Sequence, residues 1–86
     1  MKMGTQIVYV PLHANGNVDH PDCEAGFVTS LRGDTVWCRY WSKHCPGELR
    51  TKANSEATPL DLLVFTDTRP QDEVDRIVAT LLPLWY

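Results

Sequence analysis

Gly26 to Trp41 reads Gly-Phe-Val-Thr-Ser-Leu-Arg-Gly-Asp-Thr-Val-Trp-Cys-Arg-Tyr-Trp, and this stretch decides the fold class. Two runs rich in β-branched and aromatic residues flank a short polar turn at Arg32-Gly33-Asp34, which is typical of a β-hairpin. Side chains of the second strand alternate between two faces: Val36, Cys38 and Tyr40 on one, and Trp37, Arg39 and Trp41 on the other. Because both faces are largely apolar or aromatic, another layer of the protein or a partner must cover one of them.

Short strands are also indicated on both sides of this hairpin. Thr5 to Pro11 is a first strand, which Pro11 ends because proline cannot donate to a ladder. The loop that follows, residues 13–24, is long for so small a domain and carries the turn dipeptide Asn15-Gly16. After a polar stretch at residues 42–56, the sequence predicts a short strand at Glu56–Thr58, one helical turn at Pro59–Leu62 and a last strand at Leu63–Phe65.

The end of the chain follows a helical period. Apolar residues recur at the spacing of an amphipathic helix, namely at Val74, Ile77, Val78, Leu81 and Leu82. Thr68 and Gln71 have the spacing of a capping box, Pro70 falls in the first turn and Pro83 stops the helix. The sequence therefore predicts a helix over residues 69–82, packed on the aromatic face of the hairpin. Truncation before Val74 should then expose that face and cause unfolding or aggregation.

Five short strands, a long first loop, a central hairpin and a helical turn before the last strand describe an SH3-like barrel. The predicted fold is mainly β, a five-stranded antiparallel barrel over residues 5–65 that the C-terminal helix caps. Eighty-six residues leave room for only one domain, residues 1–86.

Four segments carry a family resemblance: Tyr9-Val10-Pro11-Leu12-His13-Ala14, His20-Pro21-Asp22-Cys23-Glu24-Ala25-Gly26, Val36-Trp37-Cys38-Arg39-Tyr40 and Ala57-Thr58-Pro59-Leu60-Asp61-Leu62. They resemble segments of small, uncharacterised phage and prophage proteins, and the similarity covers roughly residues 5–65. The resemblance implies an origin in a mobile genetic element. It implies no activity and no site residues.

Composition and charge favour a cytoplasmic protein. No apolar run approaches the roughly 20 residues that span a bilayer, and the N-terminus lacks the pattern of a signal peptide. Three cysteines, an odd number, make a poor disulfide framework for a secreted domain. The net charge of −3 disfavours unaided binding to nucleic acid, which depends on attraction to phosphate.

Metal binding and cysteine catalysis are the chemical alternatives. His20 and Cys23 have a spacing that suits zinc, with His13, Cys38, His44 and Cys45 as further N and S ligands. The adjacent His44 and Cys45 fit no familiar zinc module, however, so we expect no stoichiometric zinc, no cofactor and a melting temperature unchanged by EDTA. A nucleophilic Cys23 or Cys45 lacks a nearby oxyanion turn, so we expect no enzymatic activity.

Binding to another protein is the favoured function, through a surface that joins the long loop to the aromatic edge of the barrel. Its candidate residues are Tyr9, His13, His20, Trp37, Arg39 and Trp41. The alternative is an accessory protein that binds nucleic acid through a basic loop beside an exposed tryptophan, using Arg39, Lys43, Arg50 and Lys52. We expect a monomer or weak homodimer with an unidentified protein partner and no contact with a membrane.

Overall fold

The computed structural model describes residues 2–45, 47–50 and 55–81. Within them the chain is mainly β, with one antiparallel sheet that curls into a half-barrel and one α-helix near the C-terminus. The strands are β1 Gln6–Tyr9, β2 Glu24–Arg32, β3 Thr35–Tyr40, β4 Glu56–Pro59 and β5 Leu63–Val64. Their order in the sheet is β4-β3-β2-β1-β5. Two 3-10 turns, Leu12–Ala14 and Leu60–Leu62, and helix α1 Gln71–Leu81 complete the described elements.

The predicted hairpin is confirmed as β2 and β3. Arg32 pairs with Thr35 across a two-residue turn in which Gly33 has φ +60°, a conformation that glycine adopts without a steric penalty. At the other end of the hairpin, a Cβ on Gly26 would lie 2.0 Å from the carbonyl oxygen of Arg39. Glycine is therefore required at position 26 for the two backbones to approach this closely.

The concave side of the half-barrel holds the main core. The alternation predicted for β3 is confirmed, since Val36, Cys38 and Tyr40 are all buried there. The other strands complete this cluster with Ile7, Val28 and Leu63. The Tyr40 hydroxyl lies 2.7 Å from Thr58 Oγ1, so the one polar atom of this buried ring has a partner on β4.

The convex side of the sheet is covered by two separate pieces of chain. Helix α1 packs Val74 against Phe27 and Trp41, and all three are at most 5% exposed. The predicted helix, residues 69–82, is confirmed with bounds Gln71–Leu81 and with Asp72 and Glu73 in its first turn. Of the other predicted features at this end, Leu82 and Pro83 lie outside the described residues. The second cover, over β1, is the loop at residues 12–23.

The predicted capping box at the start of α1 is wrong, because a side chain from β1 takes its place. Gln6 is 2% exposed, and its Oε1 accepts the backbone N–H groups of Thr68 and Arg69, each at 3.1 Å. Its Nε2 donates to the Arg69 carbonyl at 2.8 Å and to Gln71 Oε1 at 3.1 Å. Gln71 Nε2 in turn donates to the Gly4 carbonyl at 2.9 Å. These bonds fix the helix to the first strand.

The first strand is shorter than predicted. Its ladder covers Gln6–Tyr9, whereas the sequence predicted Thr5 to Pro11. Val10 still donates its N–H to the Leu62 carbonyl, and Pro11 has φ −65° at the start of the 3-10 turn that follows. Proline thus ends the strand as expected and also begins the next element.

Candidate functional site

The loop between β1 and β2 is a packed structure. Ala14 and Cys23 from the loop bury against Val8 and Val10 of β1, and each of the four is at most 8% exposed. Backbone hydrogen bonds close successive turns, such as Ala14 N–H to the Pro11 carbonyl and His20 N–H to the Asn17 carbonyl. The loop is therefore an ordered platform whose outward side chains keep fixed positions.

Leu12 is the most exposed of the large apolar side chains on this platform. It stands on the 3-10 turn with 81% of its surface exposed. Beside it runs a groove of about 320 Å³, bordered by Pro11 and Leu12 on one side and by Asp61 and Val64 on the other. A largely exposed apolar side chain on an ordered turn is a suitable contact residue for another protein.

His13, His20 and Asp22 meet on the same loop. His13 Nε2 lies 2.6 Å from Asp22 Oδ2, and the two imidazole rings stack edge to face with centroids 5.3 Å apart. The backbone N–H of Asp22 donates to His20 Nδ1 at 3.0 Å, which holds that ring beside the carboxylate. The hydrogen bond from His13 lowers the pKa of Asp22 below its ordinary value of 3.8.

The three cysteines are free thiols in three different surroundings. Cys23 Sγ donates to the Asn17 carbonyl at 3.2 Å, so the thiol that the spacing offered as an alternative zinc ligand with His20 is bonded to the backbone. Cys38 lies in the concave core, where burial raises its pKa to about 11 and makes the thiolate scarce at neutral pH. Cys45 is exposed on the loop after β3, next to His44.

The aromatic residues predicted to form one surface with the long loop are divided among different places. Trp41 is 5% exposed beneath α1, with the Arg69 guanidinium 4.0 Å from the centre of its ring. Tyr9 is half-buried against Tyr40, with ring centroids 6.5 Å apart.

Trp37 lies near the far end of the sheet from Tyr9. Trp37 pairs with Ser30 and Tyr9 with Glu24, six positions apart along β2, or about 20 Å at about 3.3 Å per residue. Of the predicted partner-binding set, only His13 and His20 meet on the loop, and Trp41 and Arg39 are inside the protein.

The basic residues of the alternative set that the structure describes are each buried or bonded within the protein. Arg39 is 3% exposed, and burial lowers the pKa of its guanidinium. Arg50 forms a fork on Glu56, with Nη2 2.7 Å from Oε2, and its Nε lies 2.9 Å from Glu24 Oε1. Lys43 donates to the Pro21 carbonyl at 2.6 Å. Lys52, the fourth predicted contact, lies outside the described residues.

Two residues of this region were missed by the sequence analysis. Leu12 was given no role, since the predicted strand ended at Pro11 and the predicted loop began at residue 13. Asp22 was taken as a turn residue, although it follows His20 by two positions in a loop that also contains His13. In both cases the missing information was how the loop folds back.

The helices of residues 2–45, 47–50 and 55–81 include none with the length and apolar character of a membrane span. We compared the chain with protein-family models, with curated proteins and with solved structures, and none of the three comparisons returned a match. The phage resemblance and the SH3-like identity of the barrel therefore stay predictions.

Proposed function

We propose that this protein is a non-enzymatic binding module of phage or prophage type, with an SH3-like barrel, which recognises another protein through the groove beside Leu12. The exposure of Leu12 carries the proposal. A leucine side chain contributes roughly 1.5–3 kcal/mol when it is fully buried, and here 81% of its surface is available for that gain. Because the turn that holds it is already ordered, a partner would lose little free energy in fixing it.

The chemistry of the groove specifies the kind of partner. One wall is apolar, with Pro11 and Leu12, and the other contains Val64 next to the exposed carboxylate of Asp61. We therefore propose a partner segment that places an apolar side chain against Leu12 and a basic side chain next to Asp61. This complementarity fits a protein of net charge −3 better than binding to the phosphates of a nucleic acid.

Further support comes from the strand order, in which β1 to β4 form a meander and β5, after a 3-10 turn, returns to pair with β1. Free thiols at Cys23, Cys38 and Cys45 fit the proposed location in the cytoplasm of a bacterial host, where thiols stay reduced. We propose that the protein acts as a monomer or weak homodimer and needs no cofactor for this binding.

The test compares two exposed leucines. Leu12→Ser removes the proposed anchor, and Leu31→Ser removes a leucine that is 48% exposed at the hairpin end of the sheet. The tagged wild-type chain and both variants are used to capture proteins from nuclease-treated host lysate at physiological salt. We expect a partner that the wild type and Leu31→Ser retain and that Leu12→Ser binds at least about 30-fold more weakly, the effect of a hot spot of about 2 kcal/mol.

Two results would contradict the proposal. Equal capture by Leu12→Ser and the wild type would show that the groove is not the binding surface. In a parallel capture from lysate without nuclease, recovery of nucleic acid alone, with affinity that collapses between low and physiological salt, would favour the nucleic-acid alternative. Sedimentation of the purified chain distinguishes a partner from a second copy, because self-association through Leu12 depends on protein concentration and is lost in Leu12→Ser.

A further inference from the structure

We infer that His13, His20 and Asp22 form a binding site for a divalent transition-metal ion, and specifically for Zn²⁺. One ligand atom from each of the three residues can be chosen so that all lie within 4.8 Å of one another. In a tetrahedral zinc site with bonds of about 2.0–2.1 Å, the ligand atoms lie about 3.4 Å apart. Small rotations of the exposed His13 and Asp22 side chains toward the half-buried His20 are therefore enough to bring the three ligands to one ion.

The donor set determines which ions fit. Two imidazoles and one carboxylate are the ligands of zinc sites that keep a fourth position for water. Nitrogen donors disfavour Mg²⁺ and Ca²⁺, which prefer oxygen ligands throughout. Cys23 does not join the set, because its thiol points to the Asn17 carbonyl. The site differs in this respect from the His20 and Cys23 pair considered from sequence spacing, and the inference replaces the expectation from sequence that the chain binds no stoichiometric zinc.

The loop holds the ligands together before any ion binds. The backbone of Asn15 has φ +52° in the left-handed region, and the turn that it ends carries His13. The Asp22 backbone N–H fixes the ring of His20, and Ala14 and Cys23 anchor the loop to β1. Because the fold supplies this arrangement, ion binding requires little further ordering.

Ion binding replaces the hydrogen bond between His13 and Asp22, and the proton of that bond has to be accounted for. His13 Nε2 lies 2.6 Å from Asp22 Oδ2, so one proton lies between them in this hydrogen bond. When an ion binds Nε2 that proton leaves it, to solvent from an imidazolium or to Nδ1 of the same ring from a neutral imidazole, and nothing is oxidised or reduced. Lys43 lies next to this loop with its ammonium on the Pro21 carbonyl, and its charge opposes a cation. We therefore expect an affinity of about micromolar Kd.

The chain contains its own control for the experiment. It has three histidines, and the third, His44, is exposed on a different loop. Zn²⁺ alone is titrated by calorimetry into the full wild-type chain and into His13→Gln, Asp22→Asn and His44→Gln. His13 and Asp22 are each 61% exposed, so these variants should keep the fold, which circular dichroism checks.

We expect one Zn²⁺ per chain in the wild type and in His44→Gln, with a melting temperature that rises on addition of Zn²⁺ and falls again with EDTA. His13→Gln and Asp22→Asn should bind at least about 10–100-fold more weakly, since even changes in the residues that only support metal ligands have effects of that size. Substitution with Co²⁺ should give no thiolate charge-transfer band, because no cysteine is a ligand.

The inference is overturned if the wild type shows neither binding heat nor a change in melting temperature with excess Zn²⁺. It is also overturned if His44→Gln or Cys45→Ser weakens binding as much as His13→Gln does, because the ion would then lie on the other loop. The Leu12→Ser variant separates this inference from the proposed function. It should lose the protein partner and retain Zn²⁺ binding, since Leu12 supplies no ligand.

Discussion

The two covers on the convex side of the sheet differ in what they leave exposed. Helix α1 buries Val74 against Phe27 and Trp41. The side chain of Gln6, which reaches from β1 to the segment before the helix, is also buried. The loop at residues 12–23 buries only small side chains, Ala14 and Cys23, against β1. Its larger side chains, Leu12 and His13 among them, point to solvent.

The two covers therefore have different roles: the helix mainly stabilises the fold, and the loop presents side chains for binding. The helix contributes aromatic and aliphatic burial, which gives the larger share of the free energy of folding. The loop needs only enough burial to stay ordered, so most of its side chains are available for binding. The comparison predicts that changes under the helix affect stability most and that changes on the loop affect it least.

Removing the ring of Phe27 should have the largest effect. Phe27 is fully buried between Trp41 and Val74, so Phe27→Ala should lower the free energy of unfolding by about 3–5 kcal/mol. The matched change under the loop, Val10→Ala, removes two methylene equivalents and should cost about 1.6 kcal/mol. Urea unfolding followed by tryptophan fluorescence measures both. A larger effect from Val10→Ala would mean that the loop, and not the helix, is the main cover.

Replacing Gln6 should have the next largest effect. Gln6→Met keeps the length of the side chain but leaves the N–H groups of Thr68 and Arg69 without their acceptor. We expect a loss of about 1–3 kcal/mol in the free energy of unfolding. Hydrogen exchange should accelerate most at the Thr68 and Arg69 amides. Gln71→Met is the control, because it removes a partner of Gln6 and leaves both of those amides bonded. Equal exchange in the two variants would contradict the role of Gln6 as the cap.

The sequence predicted the helix-covered region better than the loop-covered one. The alternation in β3 and the helical spacing of Val74 and Ile77 each show which face of a single strand or helix is buried. Residues close together in the sequence are enough to make that prediction. The cap at Gln6 could not be predicted in the same way, because it joins residues more than sixty positions apart. A capping box at Thr68 was the local alternative, and the tertiary contact replaced it.

The candidate sites were predicted only in part, for the same physical reason. Periodicity placed Trp41 and Arg39 on the face opposite the core, but it did not show that both would be buried, at 5% and 3% exposure, and so be lost from the binding surface. The spacing of His20 and Cys23 indicated a possible ligand pair, but the turns of the loop direct Cys23 inwards and bring His13 to Asp22. Which loop side chains meet depends on turn geometry that the residue pattern does not contain.

Thiol labelling compares how readily the loop-covered side of the sheet and the concave core open. Cys45 is exposed and should react first with a thiol reagent in the native protein. Cys23, under the loop, should react more slowly, and Cys38, in the concave core, slowest of all. A pKa of about 11, against an ordinary 9.0, leaves about a hundredfold less thiolate on Cys38 even before burial restricts access. Mass spectrometry of a Cys45→Ser variant follows the other two. Faster labelling of Cys38 than of Cys23 would contradict the expected order of stability.

The contact between His13 and Asp22 should have the smallest effect on stability, because both side chains are largely exposed. The hydrogen bond from His13 lowers the pKa of Asp22 below the 3.8 expected when unfolded. The stabilisation is therefore fully present above about pH 3.8 and is lost as the pH falls through the lower pKa of the folded state. Asp22→Asn should have a slightly lower melting temperature than the wild type at neutral pH, and the two should converge in acid.

Melting curves of the wild type and Asp22→Asn, recorded in EDTA from neutral pH to about pH 2, measure this difference without any contribution from bound metal. Strong salt should reduce it, because an exposed ion pair is screened. Asp19→Asn on the same loop is the control, since its carboxylate is exposed and takes no part in the contact between His13 and Asp22. A difference for Asp22→Asn that persists at the lowest pH would mean that the carboxylate charge is not what holds His13. The loop would then owe its order to its backbone hydrogen bonds and to the Ala14 and Cys23 contacts.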